Sequence, residues 1–125
     1  MGKKIITSDK LPVFGPYSAA VEADGLIFIS GQIPFNPATG EIINEIKTAA
    51  RQVLANIQTI LQEAGLKMSN IVKTTIFLRN MEDFPVVNEI YAGFFPEGPP
   101  ARSTVEVSAL PKNAPLEIEA IAIRN

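Results

Sequence analysis

The chain has 125 residues, a formal net charge of −2, 46% hydrophobic residues, and neither Cys nor His. The two absences exclude thiol redox chemistry, Cys–His and Ser–His–Asp nucleophile systems, and zinc sites built on thiolates or imidazoles. The negative balance and the scatter of Lys and Arg argue against nucleic acid as a partner, since such a surface needs clustered cations to displace counterions.

A length of this order supports one core without disulfides or a structural metal, so one domain over residues 1–125 is expected. The apolar fraction is high for so small a body, which favours self-association. The opening Met1-Gly2-Lys3-Lys4-Ile5-Ile6 is too short in apolar residues for a secretory leader, and no run approaches a membrane span, so a cytoplasmic protein with no membrane partner is expected.

In chain order, a short strand is expected from Lys3 to Thr7. Ser18 to Ala23 and the run Leu26-Ile27-Phe28-Ile29 read as two strands joined by the hairpin pair Asp24-Gly25. The second ends in Ser30-Gly31-Gln32, small and polar, where a strand end can meet a ligand. Pro34, Pro37 and Gly40 mark a loop. Apolar residues at Ile46, Ala49, Ala50, Val53, Leu54, Ile57, Ile60, Leu61 and Ala64 keep the spacing of one helical face, and Gly65 stands where a left-handed residue would stop the helix. Ile71 to Leu78, rich in β-branched residues, reads as a strand. A second helix is expected from near Asp83 as cap, with Phe84, Val87, Tyr91, Phe94 and Phe95 turned inward and Pro96 ending it. Strands over Ser103 to Leu110 and Leu116 to Arg124 close the chain. The order predicts an α+β fold: a mixed sheet of about six strands with two helices on one face.

Two places hold candidate chemistry. On the last strand, Glu117 and Glu119 share a face with Ile121 and Ile123, so at least one carboxylate is expected beside apolar side chains, where it needs a partner or titrates high. The competing reading is an edge strand with both glutamates in water, or a glutamate paired with a core arginine, because charged side chains usually stay exposed. The stiff lead-in Pro99-Pro100-Ala101 delivers Arg102 to the mouth of a strand, and a guanidinium can hold a small carboxylate through two parallel hydrogen bonds. Arg102, Thr104 and Glu106 share one face, so Glu106 is also placed to neutralise Arg102. Tyr17 after Gly15-Pro16, Ser30 and Asn88 are weaker candidates, each with an ordinary packing alternative. No phosphate-binding glycine loop occurs, so no nucleotide cofactor is indicated. No EF-hand loop occurs either, which leaves a carboxylate-only Mg2+ or Ca2+ site as the one metal site the composition allows, and none is expected.

Gly15-Pro16-Tyr17-Ser18, Ser30-Gly31-Gln32-Ile33-Pro34, Asn56, Val72-Lys73-Thr74-Thr75, Asn88-Glu89-Ile90-Tyr91, Pro100-Ala101-Arg102-Ser103-Thr104-Val105-Glu106-Val107, Leu110-Pro111-Lys112 and Ile118-Glu119-Ala120-Ile121-Ala122 occur in order. In these blocks the chain resembles the RidA/YjgF/UK-type family over its whole length. The resemblance implies a chorismate-mutase-like fold assembled as a homotrimer around a central barrel, with sites in the clefts between subunits. It implies hydrolysis of reactive enamines and imines, released by pyridoxal-phosphate dehydratases, to 2-keto acids and ammonium, without a cofactor. Carried over by position, Arg102 clamps the substrate carboxylate and Glu119 activates the attacking water. Tyr17, Ser30 and Asn88 shape the pocket, and backbone groups at Gly31 and Thr104 contact substrate or water. Many relatives carry Cys where this chain has Thr104, which bears on thiol-linked behaviour and not on hydrolysis. Two other roles attach to the resemblance: a keto-acid-binding or chaperone-like trimer without turnover, and an endoribonuclease or translation inhibitor.

Overall fold

The computed structural model describes residues 2–125. Its regular elements are β1 (Lys4–Ile6), β2 (Ala20–Ala23), β3 (Leu26–Gln32), α1 (Ile46–Glu63), β4 (Ile71–Leu78), α2 (Phe84–Phe94), β5 (Ala101–Glu106) and β6 (Leu116–Ile123). They form one six-stranded sheet in the order β1-β2-β3-β6-β4-β5. Only β4 and β5 run parallel, the pairing that demands a long crossover, and α2 supplies it. All other neighbours are antiparallel.

The alternation read from β6 is realised. Leu116, Ile118, Ala120 and Ala122 are buried, while Glu117, Glu119, Ile121 and Ile123 face away from the core. The buried set meets Ile27 and Ile29 of β3, Ile76 and Leu78 of β4, and the α1 stripe of Ala49, Ala50, Val53, Leu54, Ile57, Ile60 and Leu61. Alanines at positions 49, 50, 120 and 122 let helix and sheet backbones approach, and each large aliphatic side chain buried there contributes about 2 kcal/mol. Gly65 takes φ +75° and closes α1: its N–H donates to Gln62 O at 3.0 Å and the Leu66 N–H to Leu61 O at 2.8 Å, the paired bonds of a left-handed helix stop.

Several boundaries differ from expectation. Asp83 does not cap α2; its backbone is already helical (φ −78°, ψ −10°) and its side chain bonds nothing in the helix. A 3-10 turn over Met81–Asp83 precedes α2, and Asn80 caps that turn by accepting from the Glu82 N–H. The inward stripe of α2 centres on Val87, Ile90 and Tyr91, leaving Phe84 and Phe94 at the margin. Strand β5 begins at Ala101 and ends at Glu106, short of Leu110, because its partner β4 runs out at Leu78. Strand β6 lies between β3 and β4, so its glutamates do not sit on an edge strand.

Asn56 is the polar side chain that α1 buries. Its amide nitrogen donates to the carbonyls of Phe35 at 2.9 Å and Ile33 at 3.4 Å, and its oxygen accepts from Gln52. These bonds pin the loop after β3 onto the helix. Asn56→Ala is expected to destabilise the fold by about 2 kcal/mol, since one buried and one half-buried carbonyl lose their donor. Thermal unfolding measures it; a Tm within a degree of wild type would contradict the pinning role.

Candidate active site

The irregular end of β3 builds the first half of the site. Pairing between β3 and β6 shifts register between Ile29 and Gln32, so Ser30 and Gly31 bulge opposite Glu119. A cavity of about 470 Å3 opens there, lined by Tyr17, Ser30, Gly31, Glu117 and Glu119, with Leu11, Phe14, Ile33 and Phe35 as apolar wall. The Ser30 hydroxyl donates to Ser18 O at 2.6 Å, which leaves its lone pairs as acceptors. The Phe14 N–H donates to the Tyr17 hydroxyl oxygen at 3.3 Å, so the phenolic hydrogen is available to a ligand. Lys112, held in the left-handed region at φ +54°, lays its ammonium 4.7 Å from the Phe14 ring centroid. The cation thus sits against Phe14, one of the residues that wall the cavity.

The second half lies on the other face of the sheet. Arg102 pairs in register with Thr74, whose hydroxyl meets the Tyr91 hydroxyl on α2 at 2.6 Å. Arg102 therefore points to the helix side. Its Nη1 donates to Asn88 Oδ1 at 2.8 Å, and its guanidinium carbon stands 4.9 Å from the Tyr91 ring centroid and 5.3 Å from that of Phe84. Burial pushes the Tyr91 phenol upward, with the Thr74 hydrogen bond acting against it. The ring thus stays a neutral flank. An open hollow of about 430 Å3 runs from Arg102 past Asn88 and Tyr91 to Pro99 and Pro100. Thr104 follows on the same face of β5, in register with Ile76.

Glu106 does not neutralise Arg102. Its carboxylate accepts from the Met81 N–H at 2.7 Å, drawn to the 3-10 turn before α2. Among the described residues the one ion pair is Glu22–Arg124, so the Arg102 guanidinium carries a charge answered only by a neutral amide and two rings. A guanidinium held in this way has the shape and charge to take a carboxylate through two parallel N–H bonds.

The sequence model of the family described as Endoribonuclease L-PSP matches residues 7–124. A 2-iminobutanoate/2-iminopropanoate deaminase of Escherichia coli K12 is 47% identical over 127 residues, spanning 99% of each chain. The crystal structure of the Escherichia coli YjgF gene product matches with a TM-score of 0.93 and 46% identity, covering 98% of this chain and 99% of that one. The chain belongs to the RidA/YjgF/L-PSP family. A further solved relative, Escherichia coli TdcF with bound serine, gives a TM-score of 0.93 at 43% identity, over 98% of this chain and 99% of that one.

Within this RidA/YjgF chain the candidate residues separate into two groups. Tyr17, Ser30, Gly31 and Glu119 share the bulge-side cavity, while Asn88 and Arg102 share the helix-side hollow. Glu119 pairs with Thr75 and Arg102 with Thr74. The two candidate side chains thus stand two strands apart, about 10 Å, and project to opposite faces. The sequence marks Glu117 and Glu119 together as candidate high-titrating carboxylates, and the resemblance gives the water-activating role to Glu119 alone. Glu117 lines the same cavity, and burial, then the charge of Glu119, pushes its carboxyl up. No group of three or more carboxylates fit to hold a metal occurs among the described residues. No helix is long and apolar enough to cross a membrane.

Proposed function

We propose that this protein hydrolyses 2-iminobutanoate and 2-iminopropanoate to 2-keto acids and ammonium, at sites completed by two copies of the chain in a homotrimer. The observation that carries the reading is the division of the site. One cavity offers two carboxylates and hydroxyls without a cation, a separate hollow offers an uncompensated guanidinium, and the sheet stands between them. A substrate of a few heavy atoms cannot touch both in one chain. A neighbouring copy that sets its helix-side hollow against the bulge-side cavity makes one complete pocket. The sheet face away from the helices supports such packing, since it leaves Ile5 (54%), Phe28 (44%), Val105 (42%) and Ile123 (41%) exposed to water, an apolar surface of the kind that subunits cover.

An imine carbon is already electrophilic, so positioning and proton transfer suffice. Arg102, its plane fixed by Asn88 and the flanking rings, takes the substrate carboxylate through two parallel N–H bonds. Glu119 accepts a proton from the water that attacks the imine carbon. Ser30 accepts from an iminium N–H, and Tyr17 donates to the oxygen that becomes the ketone. The wall of Leu11, Phe14, Ile33 and Phe35 suits a methyl or ethyl substituent. Residues 1–125 act as one domain, and a cytoplasmic site fits substrates released by dehydratases there.

The bound serine of the TdcF structure favours a second reading, in which Arg102 captures a small amino or keto acid without turnover. Endoribonuclease action fits poorly: the net charge is −2 and only Lys3 and Lys4 adjoin as basic residues, too few to grip a phosphate backbone.

Subunit mixing tests the shared site. Arg102→Ala and Glu119→Gln are each expected to be nearly inactive, yet trimers reassembled from an equal mixture should regain about a quarter of wild-type turnover, because each mixed ring holds one interface with both residues intact. The readout is 2-ketobutyrate from imine generated by a threonine dehydratase. Mixed trimers with no regained turnover would refute shared sites. A wild type that binds keto acids and accelerates nothing would move the reading to capture.

A further inference from the structure

We infer that Thr74 and Tyr91 are positioning residues of the carboxylate anchor: their buried hydroxyl pair fixes the Tyr91 ring, and the ring sets the plane of the Arg102 guanidinium. The assignment rests on the deaminase reading above, in which Arg102 takes the substrate carboxylate.

Helix α2 carries Phe84, Asn88 and Tyr91 at i, i+4 and i+7, one stripe of its surface. All three meet Arg102. The guanidinium carbon stands 5.3 Å from the Phe84 centroid and 4.9 Å from that of Tyr91, and Nη1 donates to Asn88 Oδ1 at 2.8 Å. Tyr91 is held from both ends. It is 4% exposed, its ring leans on Phe95 with centroids 4.6 Å apart, and its hydroxyl lies 2.6 Å from that of Thr74. Thr74 in turn stands in register with Arg102 on the neighbouring strand. Arg102, Tyr91 and Thr74 thus close a small circuit of contacts: guanidinium to ring, phenol to hydroxyl, and strand β4 to strand β5.

Packing gives no reason for this hydroxyl pair. Thr74 lies on the core face of β4, in line with Ile76 and Leu78 and in register with Ala120 of β6, a place where Val would fill the same volume. Asn56, also buried, pins a loop, whereas among the described residues the Thr74 hydroxyl meets only that of Tyr91. A buried hydroxyl costs free energy unless paired, and a Val–Phe pair of the same shape would need no partner. What the hydroxyls add is direction. A Phe ring in this seat could turn and slide toward the hollow of about 430 Å3 beside Arg102, while a bonded phenol is fixed along its long axis. Burial pushes the phenol up, so Tyr91 places no competing negative charge beside the guanidinium.

The consequence is specific to the carboxylate. Two parallel N–H bonds need the guanidinium coplanar with the group it holds. A guanidinium free to tilt grips the carboxylate less well in ground and transition states alike, so the loss falls on KM.

The test is a double-substitution cycle. Tyr91→Phe and Thr74→Val each remove one hydroxyl, and together they remove both with shape preserved. Each single variant is expected to raise KM for 2-iminobutanoate about tenfold with kcat within about twofold of wild type. Each should also lower Tm by about 5 °C through the hydroxyl left without a partner. The double variant should regain most of that Tm and keep the raised KM, a split that a merely structural role would not give. Thr74→Ser retains the hydroxyl and should hold KM within about twofold of wild type. In the other three variants the preference for 2-iminobutanoate over an imine lacking the carboxylate, as a ratio of kcat/KM, should fall about tenfold. A folded Tyr91→Phe with wild-type KM, or a KM that recovers with Tm in the double variant, overturns the assignment. A wild type that turns over no imine overturns the deaminase reading instead. The Kd for 2-ketobutyrate, measured by calorimetry on the same proteins, then decides the positioning role: about tenfold weakening supports it and an unchanged Kd overturns it.

Discussion

Arg102→Ala is expected to lower kcat/KM for 2-iminobutanoate by about 100- to 1,000-fold, or about 3–4 kcal/mol, the range for removing one partner of a close, hydrogen-bonded charge pair. The loss should appear mainly in KM, because the carboxylate is held alike in ground and transition states. Arg102→Lys should not rescue it. The Nη1 bond to Asn88 and the flanking Phe84 and Tyr91 rings hold a planar fork, and an ammonium can neither stack nor present two parallel donors. An imine lacking the carboxylate should be hydrolysed slowly, and equally so, by wild type and variant. Steady-state kinetics on the paired substrates measure both effects, and an Arg102→Ala protein with wild-type kcat/KM would place the anchor elsewhere.

Glu119→Gln is expected to have the complementary signature: kcat lowered about 100- to 10,000-fold, the usual span for loss of a positioned acid–base group, with KM little changed. The substitution preserves size, and Glu119 is exposed on a central strand whose core face is filled by Leu116, Ile118, Ala120 and Ala122. Folding should therefore be untouched, and circular dichroism and Tm should match wild type. An unchanged kcat would remove Glu119 from water activation and leave the cavity as a binding site.

The separation of Arg102 from Glu119 is the reason these two variants are expected to fail alone and to complement each other in mixed trimers. Side chains on alternate faces of one sheet cannot converge, so a site needing both residues needs two chains. The apolar residues left on the open sheet face supply a reason for those chains to meet, and β5, an edge strand by its place in the sheet order, carries Arg102 to the periphery where a neighbour can reach it.

Much of this fold is written in local pattern. The apolar spacing from Ile46 to Ala64 specified α1 within a residue of its observed end, and Ile71 to Leu78 is β4 without change, because a helix stripe and a β-branched run are set by side-chain period. The alternation in β6 separated the glutamates from the buried aliphatics before any partner strand was known. Asp24-Gly25 likewise marked the hairpin, and the β2–β3 pairing that brackets it is observed. Where the reading slipped, a non-local contact had decided: β5 stops with β4, Asp83 yields the cap to a preceding turn, and Glu106 turns from Arg102 to the Met81 N–H.

By itself the sequence determined most of the elements and on which of them each candidate residue lies, since residue type and period are local properties. It also narrowed the chemistry to carboxylates, hydroxyls and a guanidinium, because His and Cys are absent. Only the tertiary structure decided how those groups meet. Strand order placed β6 at the centre and β5 at the edge, the bulge at Ser30–Gly31 opened a cavity over Glu117, and register sent Arg102 and Glu119 to opposite faces. These depend on pairings between segments far apart in the chain, which no local spacing encodes.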